Sequence, residues 1–290
     1  MNLFQVGAGS GGIVVLDLLS RDPRVSRVTL IEPDVYKPHN VHRHVFPLAA
    51  VGRKKAELAA EWVRERRHDL VVDPVIADLT DPAMHPAFEQ LIAGCDVGVC
   101  AVDNEVAKYA FDALMRAAGK PWTLGEVLSG GIGGWVHRFT PGGPCYGCVA
   151  SHLQRTVAEA PGTPPPDYAN PGGAVAEATV PASKASIEVI AGLHAVVTQG
   201  LFRSLTIEGE PSGKTGPIPS PPNGEVSEEF TSLLFTLARV PGVFDDVFRS
   251  YRFRIPKSPA CLICSAVPAP VAGEDLDVAL DQALARLGKE

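Results

Sequence analysis

A glycine-rich turn near the start of the chain has the spacing of a phosphate-binding loop. The pattern Gly-x-Gly-x-x-Gly is formed by Gly7, Gly9 and Gly12, directly after an apolar segment that reads as a strand. Glycine allows a tight turn and the close approach of a ligand, and the helix that follows offers free N–H groups and the positive end of its dipole. Glu32 ends the next apolar segment, where an acid can bind ribose hydroxyls. These residues predict a nucleotide site and leave NAD, FAD and ATP open as its ligand.

A polar segment after that acid carries the groups that a bound triphosphate needs. Its carboxylate, amide and cationic side chains are Asp34, Asn40, Arg43 and Lys55. When pyrophosphate is displaced, cations and hydrogen-bond donors must offset the charge that develops. A dehydrogenase has no need of such a set, so these residues favour ATP. Taken singly, Arg43 or Lys55 would be a solvated surface charge, and Asp103, which follows the apolar run 97–102, could be the N-cap of the next helix.

Four of the six cysteines form two Cys-x-x-Cys pairs, which are Cys145/Cys148 and Cys261/Cys264. Thiolates at this spacing on a tight turn can occupy two corners of a Zn²⁺ tetrahedron, and a second pair completes it. A site made only of cysteines is typical of a closed structural site, which would hold the C-terminal segment against the core. A redox pair is the alternative, but it would need a thioredoxin-like unit, which the sequence lacks. Cys95 and Cys100 lie in an apolar run and are interpreted as small buried hydrophobes.

The elements that position these residues alternate between strand and helix in the first half of the chain. Strand patterns cover Leu3–Val6, Val25–Ile31, Val71–Ala77 and Val97–Val102, and helical patterns cover Gly11–Arg21, Lys54–Arg67, Pro86–Ile92 and Asn104–Ala118. This βαβ succession predicts a mostly parallel sheet with helices on both faces.

The second half does not show this regular alternation of strands and helices. Trp122–Thr140 predicts two β segments, Ser183–Leu205 a core helix, Val247–Ile255 a further strand and Leu276–Leu287 an amphipathic helix. Residues 158–181 are rich in Pro, Gly and Ala and are interpreted as a long mobile loop. Residues 208–223 are interpreted as a linker, because prolines and glycines dominate them.

Composition and charge exclude several classes of protein. The net charge is −7 and the pI about 5.6, which argues against general affinity for nucleic acid or for an anionic membrane. The chain enters a strand pattern at once, without the charged and apolar regions of a secretory signal. The apolar stretch Ile187–Val197 is too short to span a bilayer, which needs about 20 residues. We therefore expect a soluble cytoplasmic protein.

In these motifs the sequence resembles the ThiF/MoeB/ubiquitin-activating-enzyme superfamily, whose members adenylate the C-terminal carboxylate of a protein or peptide. The family pattern stands here as Glu32-x-Asp34, Asn40-x-x-Arg43 and Gly52-x-x-Lys55, followed by the pair Asp103-Asn104 after a buried strand. Two widely separated cysteine pairs are also similar to the family's. The resemblance implies one Rossmann-like, doubly wound adenylation domain over residues 1–290. Residues 1–120 would form its nucleotide half around a mostly parallel sheet, and residues 121–290 its target-binding half with antiparallel strands.

The resemblance also implies a role for each residue of the pattern. Glu32 would hold the ribose, with Asp34 beside the nucleotide, and Asn40 would contact the phosphates. Arg43, Lys55 and Asp103 would carry the catalysis, the two cations at the phosphates and the carboxylate on Mg²⁺; Asn104 would support the turn. The cofactors would be ATP, Mg²⁺ and Zn²⁺, and the partner the C-terminus of a ubiquitin-like protein, a sulfur carrier or a peptide. A homodimer or heterodimer is expected, because these proteins usually build the site beside a subunit interface.

The chain departs from the family in three places. The family often supplies an arginine from an N-terminal helix of the partner subunit, and we expect no such helix here, because the sequence starts at the first strand pattern. Lys108 stands where an arginine is common, and residues 150–260 contain no cysteine that could carry a thioester. We therefore expect the chemistry to stop at the acyl adenylate, or to pass it directly to a sulfur donor, an amine or a partner's thiol. His42 and His44 flank Arg43 and are expected to pack or hydrogen bond locally. Two alternatives stay open: a Rossmann oxidoreductase that binds NAD or FAD, and a non-catalytic partner of an activating enzyme.

Overall fold

A single sheet of eight strands organises the part of the chain that the computed structural model describes, namely residues 1–153, 182–209 and 230–265. The strands are β1 (Asn2–Val6), β2 (Arg27–Ile31), β3 (Val71–Val75), β4 (Val97–Cys100), β5 (Trp122–Val127), β6 (Gly133–Phe139), β7 (Ser232–Thr236) and β8 (Ser250–Phe253). They lie in the order β3-β2-β1-β4-β5-β6-β7-β8. The strands β1 to β5 pair in parallel, and β6, β7 and β8 continue the sheet with antiparallel pairing. The predicted fold class is confirmed, because the parallel strands belong to the first half and the antiparallel ones to the second.

Helices cover both faces of the sheet, and each face has its own hydrophobic core. The helices are α1 (Gly12–Ser20), α2 (Lys55–Arg64), α3 (His85–Ala93), α4 (Glu105–Ala117), α5 (Tyr146–His152) and α6 (Lys184–Gly209). The core on one face contains Leu3 of β1 and is covered by α1, α2 and α6. The core on the other face contains Phe4 and is covered by α3, α4 and α5. Consecutive residues of β1 thus enter opposite cores, as the two-residue period of a strand requires.

The order of the parallel strands creates a crevice at their carboxyl ends. The chain runs from β1 outward through β2 to β3, and then crosses to the other side of β1 to form β4 and β5. The loops that follow β1 and β4 therefore leave the sheet in opposite directions, and a crevice opens between them. They still touch at one point, because a Cβ on Gly7 would lie 2.4 Å from the carbonyl oxygen of Ala101. Gly7 also has a φ of +94°, so its conformation and its contact both require glycine.

Helix α6 packs along the sheet, and the core accounts for its apolar composition. By length and composition alone Lys184–Leu205 could cross a membrane, and it is the one helix with that property among the described residues. In the structure it contacts α1, β5 and β6, and it buries Ile190 and Phe202. The predicted helix Ser183–Leu205 is confirmed and continues to Gly209. The stretch that is apolar enough to cross a membrane, Lys184–Leu205, is longer than the stretch Ile187–Val197 predicted from the sequence.

Two elements of the second half differ from the sequence interpretation. Helix α5 begins directly after Cys145, so the predicted tight turn is wrong and the first cysteine pair lies at a helix start. Its first N–H, on Tyr146, donates to the buried carboxylate of Asp112 in α4 (3.0 Å), a long-range partner that no local pattern reveals. Strand β7 is missed because Ser232 and Thr236 are buried on the same face as a leucine, which hides the apolar alternation.

The remaining predicted elements of the second half differ in length from the structure or fall outside the described residues. The predicted strand Val247–Ile255 is shorter, at Ser250–Phe253. The predicted loop 158–181 and the predicted terminal helix 276–287 lie outside the described residues. The predicted linker 208–223 begins inside α6, which is an error at its first residues, and the rest of it also lies outside.

A buried chain of hydrogen bonds fastens α6 to β5. Thr198 Oγ1 donates its only hydrogen to the carbonyl of His194 (2.8 Å). In the bond between the two threonine hydroxyls (2.7 Å), Thr123 must therefore be the donor and Thr198 Oγ1 the acceptor. The Thr123 oxygen then accepts from Nε2–H of His194 (2.9 Å), which assigns the neutral tautomer of that ring. The ring packs closely only because residue 125 is glycine, since a Cβ on Gly125 would lie 2.5 Å from His194 Nδ1. Burial lowers the pKa of His194 to about 4, so the ring is uncharged at neutral pH.

This buried histidine predicts a specific loss of stability in acid. Because the pKa of His194 is about 4 in the fold and near its ordinary 6.5 when unfolded, the unfolded chain binds the extra proton between those values. The free energy of unfolding should therefore fall as the pH drops from 6.5 to 4, by up to about 1.4 kcal/mol per pH unit from this group. Urea unfolding across that range should show a flatter dependence for His194→Gln, which keeps an N–H donor and does not titrate. Parallel pH curves for the two proteins would contradict the assignment.

Candidate active site

A cleft of about 930 Å³ at the carboxyl ends of β1 and β4 brings together the residues of the predicted nucleotide site. The predicted residues that line it are Gly7, Gly9, Gly12, Glu32, Asp34, Asn40, Arg43, Lys55, Asp103 and Asn104. The cleft continues past Asp103 along β5, β6 and α6, where Trp135 and Ile190 contribute apolar walls. The sequence motifs therefore converge in space, although they are spread over about a hundred residues of chain.

The glycine-rich turn presents backbone donors to this cleft. The N–H of Ala8 donates to the carboxylate of Glu32 (2.7 Å), whereas the next four N–H groups, from Gly9 to Gly12, have no acceptor among the described residues. A Cβ on Gly9 would meet no atom within 4 Å, so the backbone there is open to a ligand. A Cβ on Gly12 would lie 2.4 Å from the carbonyl oxygen of Gly7, which keeps the turn tight. Open space beside free donors at the start of α1 suits a phosphate group.

Glu32 braces the turn as well as facing the cleft. One carboxylate oxygen accepts the hydrogen bond from Ala8, and the other accepts from the N–H of Asp34 (3.0 Å). The side chain is buried at the end of β2. Each carboxylate oxygen has a further lone pair, so the predicted contact with ribose hydroxyls is compatible with this structural role.

The polar segment after β2 holds its two cations differently. The buried ammonium of Lys55 lies 2.7 Å from a carboxylate oxygen of Asp34, whose side chain is half exposed. Arg43 is partly exposed, and its guanidinium has no hydrogen bond or ion pair with any described residue. Asn40 comes three residues before Arg43, and its side-chain oxygen accepts from the N–H of Lys37 (2.8 Å), which fixes a short helical turn. One cation is thus held in place, and the other is available to a ligand.

Asp103 is also available, because its neighbour caps the helix. The side-chain oxygen of Asn104 accepts from the N–H of Ala107 (2.8 Å), which makes Asn104 the N-cap of α4. The interpretation of Asp103 as the N-cap is therefore wrong. Its carboxylate is exposed at the cleft and forms no hydrogen bond with a described residue.

Lys108 reaches the cleft, but two carboxylates balance its charge. Its ammonium lies 2.6 Å from an oxygen of Glu105 and 2.6 Å from an oxygen of Glu126. Burial opposes the charged form, and the two acids outweigh it and raise the pKa of Lys108. Tyr146 donates to Glu105 (2.7 Å) and His137 Nε2 lies 3.1 Å from Glu126, so the network reaches from α5 to β6. Lys108 stands out in the sequence, but no local pattern predicts this network, since its members are far apart in the chain.

Two buried side chains behind the glycine-rich turn are absent from the predicted site. Nε2 of Gln5 donates to the carbonyls of Gly7 (3.0 Å) and Gly12 (2.8 Å). Nε2 of His44 lies 2.9 Å from the carbonyl oxygen of Ala8, which agrees with the expected local hydrogen bonding of this histidine. The one sequence signal for Gln5 is an amide in an otherwise apolar strand.

The four predicted metal ligands form a separate cluster next to α5. All four sulfur atoms lie within 4.8 Å of one another, and three of the cysteines are buried. Three sulfur–sulfur distances are 3.5 to 3.8 Å. A tetrahedron with Zn–S bonds of about 2.3 Å has edges of about 3.8 Å. The donor set and its spacing therefore fit Zn²⁺.

The two remaining cysteines lie in the core. Burial raises the pKa of Cys95 to about 11 and that of Cys100 to about 12. Both side chains are buried, so neither thiol is accessible to a substrate. A thiol that stays protonated and covered is a poor nucleophile. Their interpretation as small buried hydrophobes is confirmed.

Comparison with known protein families adds independent information about the chain. The sequence model of the ThiF family matches residues 2–216. A SAMP-activating enzyme E1 of Haloferax volcanii is 32% identical over 145 residues, which are 50% of this chain and 51% of that enzyme. An adenylyltransferase and sulfurtransferase UBA4 of Yarrowia lipolytica is 26% identical over 147 residues, which are 51% of this chain and 36% of that protein. The aligned region thus spans about half or less of each of these relatives.

Solved structures resemble the chain over most of its length. The crystal structure of E. coli MccB with ATP has a TM-score of 0.59 and 16% identity, and the match covers 91% of this chain and 66% of that one. The microcin C7 biosynthetic enzyme MccB in complex with N-formylated MccA has a TM-score of 0.61 and 17% identity, with 91% and 67% covered. At this level of identity the likeness concerns the fold.

The cysteine cluster predicts a structural metal. We expect the purified protein to contain about one Zn²⁺ per chain, because four thiolates fill a tetrahedral site. Cys261→Ser should lose the metal and lower the free energy of unfolding by several kcal/mol, because metal binding is coupled to folding. Elemental analysis and urea unfolding measure both effects, with Cys95→Ala as a control that removes a buried thiol and keeps the metal. Metal-free wild-type protein, or full metal content in Cys261→Ser, would contradict the assignment.

Proposed function

The chain belongs to the ThiF family, and on that premise we propose that it uses ATP to adenylate the C-terminal carboxylate of a polypeptide, with release of pyrophosphate. The polypeptide would be a ubiquitin-like protein, a sulfur carrier or a peptide. One observation carries the proposal: Arg43, Lys55 and Asp103 line the same cleft as the free N–H groups of the glycine-rich turn. Two cations, a row of backbone donors and a carboxylate suit a magnesium triphosphate better than a dinucleotide.

The nucleotide is expected to lie with its phosphates at the turn. The N–H groups from Gly9 to Gly12 would bind phosphate oxygens, and Arg43 and Lys55 would balance their charge. Glu32 would accept hydrogen bonds from the ribose. Asp103 would hold Mg²⁺, which supplies positive charge to the phosphates. Asp34 keeps the ammonium of Lys55 in position through their ion pair at 2.7 Å.

The reaction needs positioning and charge stabilisation more than acid–base catalysis. An oxygen of the substrate carboxylate attacks the α-phosphorus, a new C–O–P link forms, and the bond to pyrophosphate breaks. A carboxylate is already ionised at neutral pH, so no general base is required. Negative charge grows on the leaving pyrophosphate, where Arg43 and Lys55 would offset it.

The substrate tail is proposed to enter from the second half of the chain. Residues 121–290 would form the target-binding half, and the cleft next to Asp103 is lined there by Leu128, Trp135 and Ile187. The similar proteins support a polypeptide substrate, since one is a SAMP-activating enzyme and one structure is a complex of MccB with N-formylated MccA. A dimer stays a prediction from the resemblance, and a cytoplasmic location stays a prediction from composition and sequence pattern.

The acyl adenylate is proposed to be the end of the chemistry on this chain, or to pass straight to an external acceptor. The described thiols are either in the metal cluster or buried as Cys95 and Cys100. Residues 150–260 contain no cysteine at all. A thioester on this chain therefore has no suitable carrier in those regions.

Exchange of pyrophosphate into ATP tests the proposed activity. The exchange should depend on a ubiquitin-like or sulfur-carrier protein encoded near the gene. Pyrophosphate re-forms ATP only by reacting with the acyl adenylate, and the adenylate forms only when the carboxylate substrate is present. Asp103→Ala should lower the exchange rate by about 100-fold or more, since it removes the proposed Mg²⁺ ligand. The thermal midpoint should not change, because the carboxylate of Asp103 makes no hydrogen bond with the residues that the structure describes. Asp245→Asn removes an exposed carboxylate elsewhere and should match the wild type. Wild-type exchange in Asp103→Ala would remove this residue from the mechanism.

Ligand-induced thermal shifts separate this proposal from an oxidoreductase. ATP with Mg²⁺ should raise the thermal midpoint of the wild-type protein, because a ligand that binds only the folded state stabilises it. NAD⁺ at the same concentration should have little effect. A shift with NAD⁺ and none with ATP would overturn the proposed function. A shift with ATP and no exchange with any carrier would instead support a non-catalytic partner.

A further inference from the structure

We propose that Gln5 and His44 are positioning residues that hold the peptide groups of the glycine-rich turn so that only N–H groups face the nucleotide phosphates. This inference rests on the proposed function, because it concerns the same nucleotide. Neither side chain is among the residues that line the cleft. Each acts from behind the turn, through the carbonyl groups.

The hydrogen bonds of the turn separate its donors from its acceptors. The carbonyls of Gly7 and Gly12 accept from Gln5, and that of Ala8 accepts from His44. The carbonyl of Gly9 accepts from the N–H of Ile13 (3.0 Å) at the start of α1. These carbonyls are therefore turned toward the protein, while the four N–H groups from Gly9 to Gly12 stay without a protein acceptor among the described residues.

A glycine-rich turn needs such support more than other loops. Glycine has no Cβ, so a peptide group beside it rotates between conformations at little cost. A rotated peptide would direct a carbonyl oxygen toward the phosphates, where two negative groups repel. Side-chain donors that bind the carbonyls hold the peptide groups in the one orientation that favours an anion.

The buried amide of Gln5 lowers the stability of the fold, so stability alone does not explain its presence. The side chain is fully buried in β1 between Phe4 and Val6, and its Oε1 has no hydrogen-bond partner among the described residues. A buried amide oxygen without a partner destabilises a fold, and an aliphatic residue at this position would avoid the loss. Both hydrogens of the amide, in contrast, are used on the turn, at Gly7 and Gly12. Both donors of Gln5 thus act to fix the geometry of the turn.

His44 is held in one orientation by aromatic neighbours. Its ring lies 5.2 Å from that of Tyr36 and 4.5 Å from that of Phe46, measured between centroids. Burial, with the nearby charges of Lys55 and Lys184, lowers the pKa of His44 to about 4. The ring is therefore neutral at neutral pH, and its one proton is on Nε2, because the Ala8 carbonyl can only accept. Its Nδ1 is buried without a hydrogen-bond partner in the described part of the chain, as is Oε1 of Gln5.

Variants that remove the donors and keep the packing test the inference. Gln5→Leu replaces the amide with an apolar group of similar size, and His44→Phe keeps an aromatic ring in the cluster. Each should weaken the binding of ATP with Mg²⁺ by about 5- to 10-fold, as expected for the loss of hydrogen bonds. His44→Gln should recover most of the affinity, because it restores an N–H donor. Thr236→Val is the matched control, since it removes the hydrogen bonds of a buried hydroxyl in β7, four strands from β1.

The decisive comparison is between ATP and adenosine, measured by calorimetry and by competition on the full chain. A positioning role predicts that Gln5→Leu and His44→Phe weaken ATP and leave adenosine unchanged, because only the phosphates contact the turn. Equal losses for both ligands, or unchanged affinity for both, would overturn the inference. If Gln5→Leu does not fold, the pair His44→Phe and His44→Gln decides. Failure of the wild type to bind ATP would instead remove the proposed function, and this inference with it.

Discussion

The close approach of the loops after β1 and β4 determines the geometry of the whole site. At Gly7 the backbone passes so near the carbonyl of Ala101 that no side chain fits between them. This contact places the donors of the glycine-rich turn beside Asp103, which follows β4 by three residues. Glu32 extends the same arrangement to β2, because its carboxylate binds both the turn and the start of the polar segment. Three strand ends are thus locked together at the point where the strand order reverses.

The charges around this point are distributed so that they can act on a polyanion. The cations that line the cleft, among the described residues, are Arg43, Lys55 and Lys108. Lys108 is neutralised by Glu105 and Glu126 and therefore belongs to the framework between α4 and β5. Lys55 forms an ion pair with Asp34, and the guanidinium of Arg43 has no partner in the described part of the chain. The positive charge available to phosphates is thus concentrated beside the glycine-rich turn, where the backbone donors also lie.

The sequence was sufficient wherever short-range patterns carry the information. Hydrophobic periodicity predicted the alternation of strands and helices up to α4, and the glycine spacing placed the turn correctly. The polar motifs predicted residues that do meet in one cleft, although their roles there stay predictions. Features that depend on distant partners are not predictable in this way. The first N–H of α5 donates to Asp112 of α4, and the charge of Lys108 is balanced by Glu126 on β5. Gln5 was missed for the opposite reason, since a single amide in an apolar strand has no pattern to identify it.

The central claim is that the cleft holds ATP by its phosphates, between the glycine-rich turn, the two cations and Asp103. A crystal structure with a non-hydrolysable ATP analogue and Mg²⁺ tests it most directly. The claim predicts phosphate oxygens within hydrogen-bond distance, about 3 Å, of the N–H groups from Gly9 to Gly12. It also predicts the guanidinium of Arg43 and the ammonium of Lys55 on the phosphates, with Mg²⁺ on Asp103. A nucleotide bound elsewhere, or one whose phosphates avoid the turn and Asp103, would contradict it.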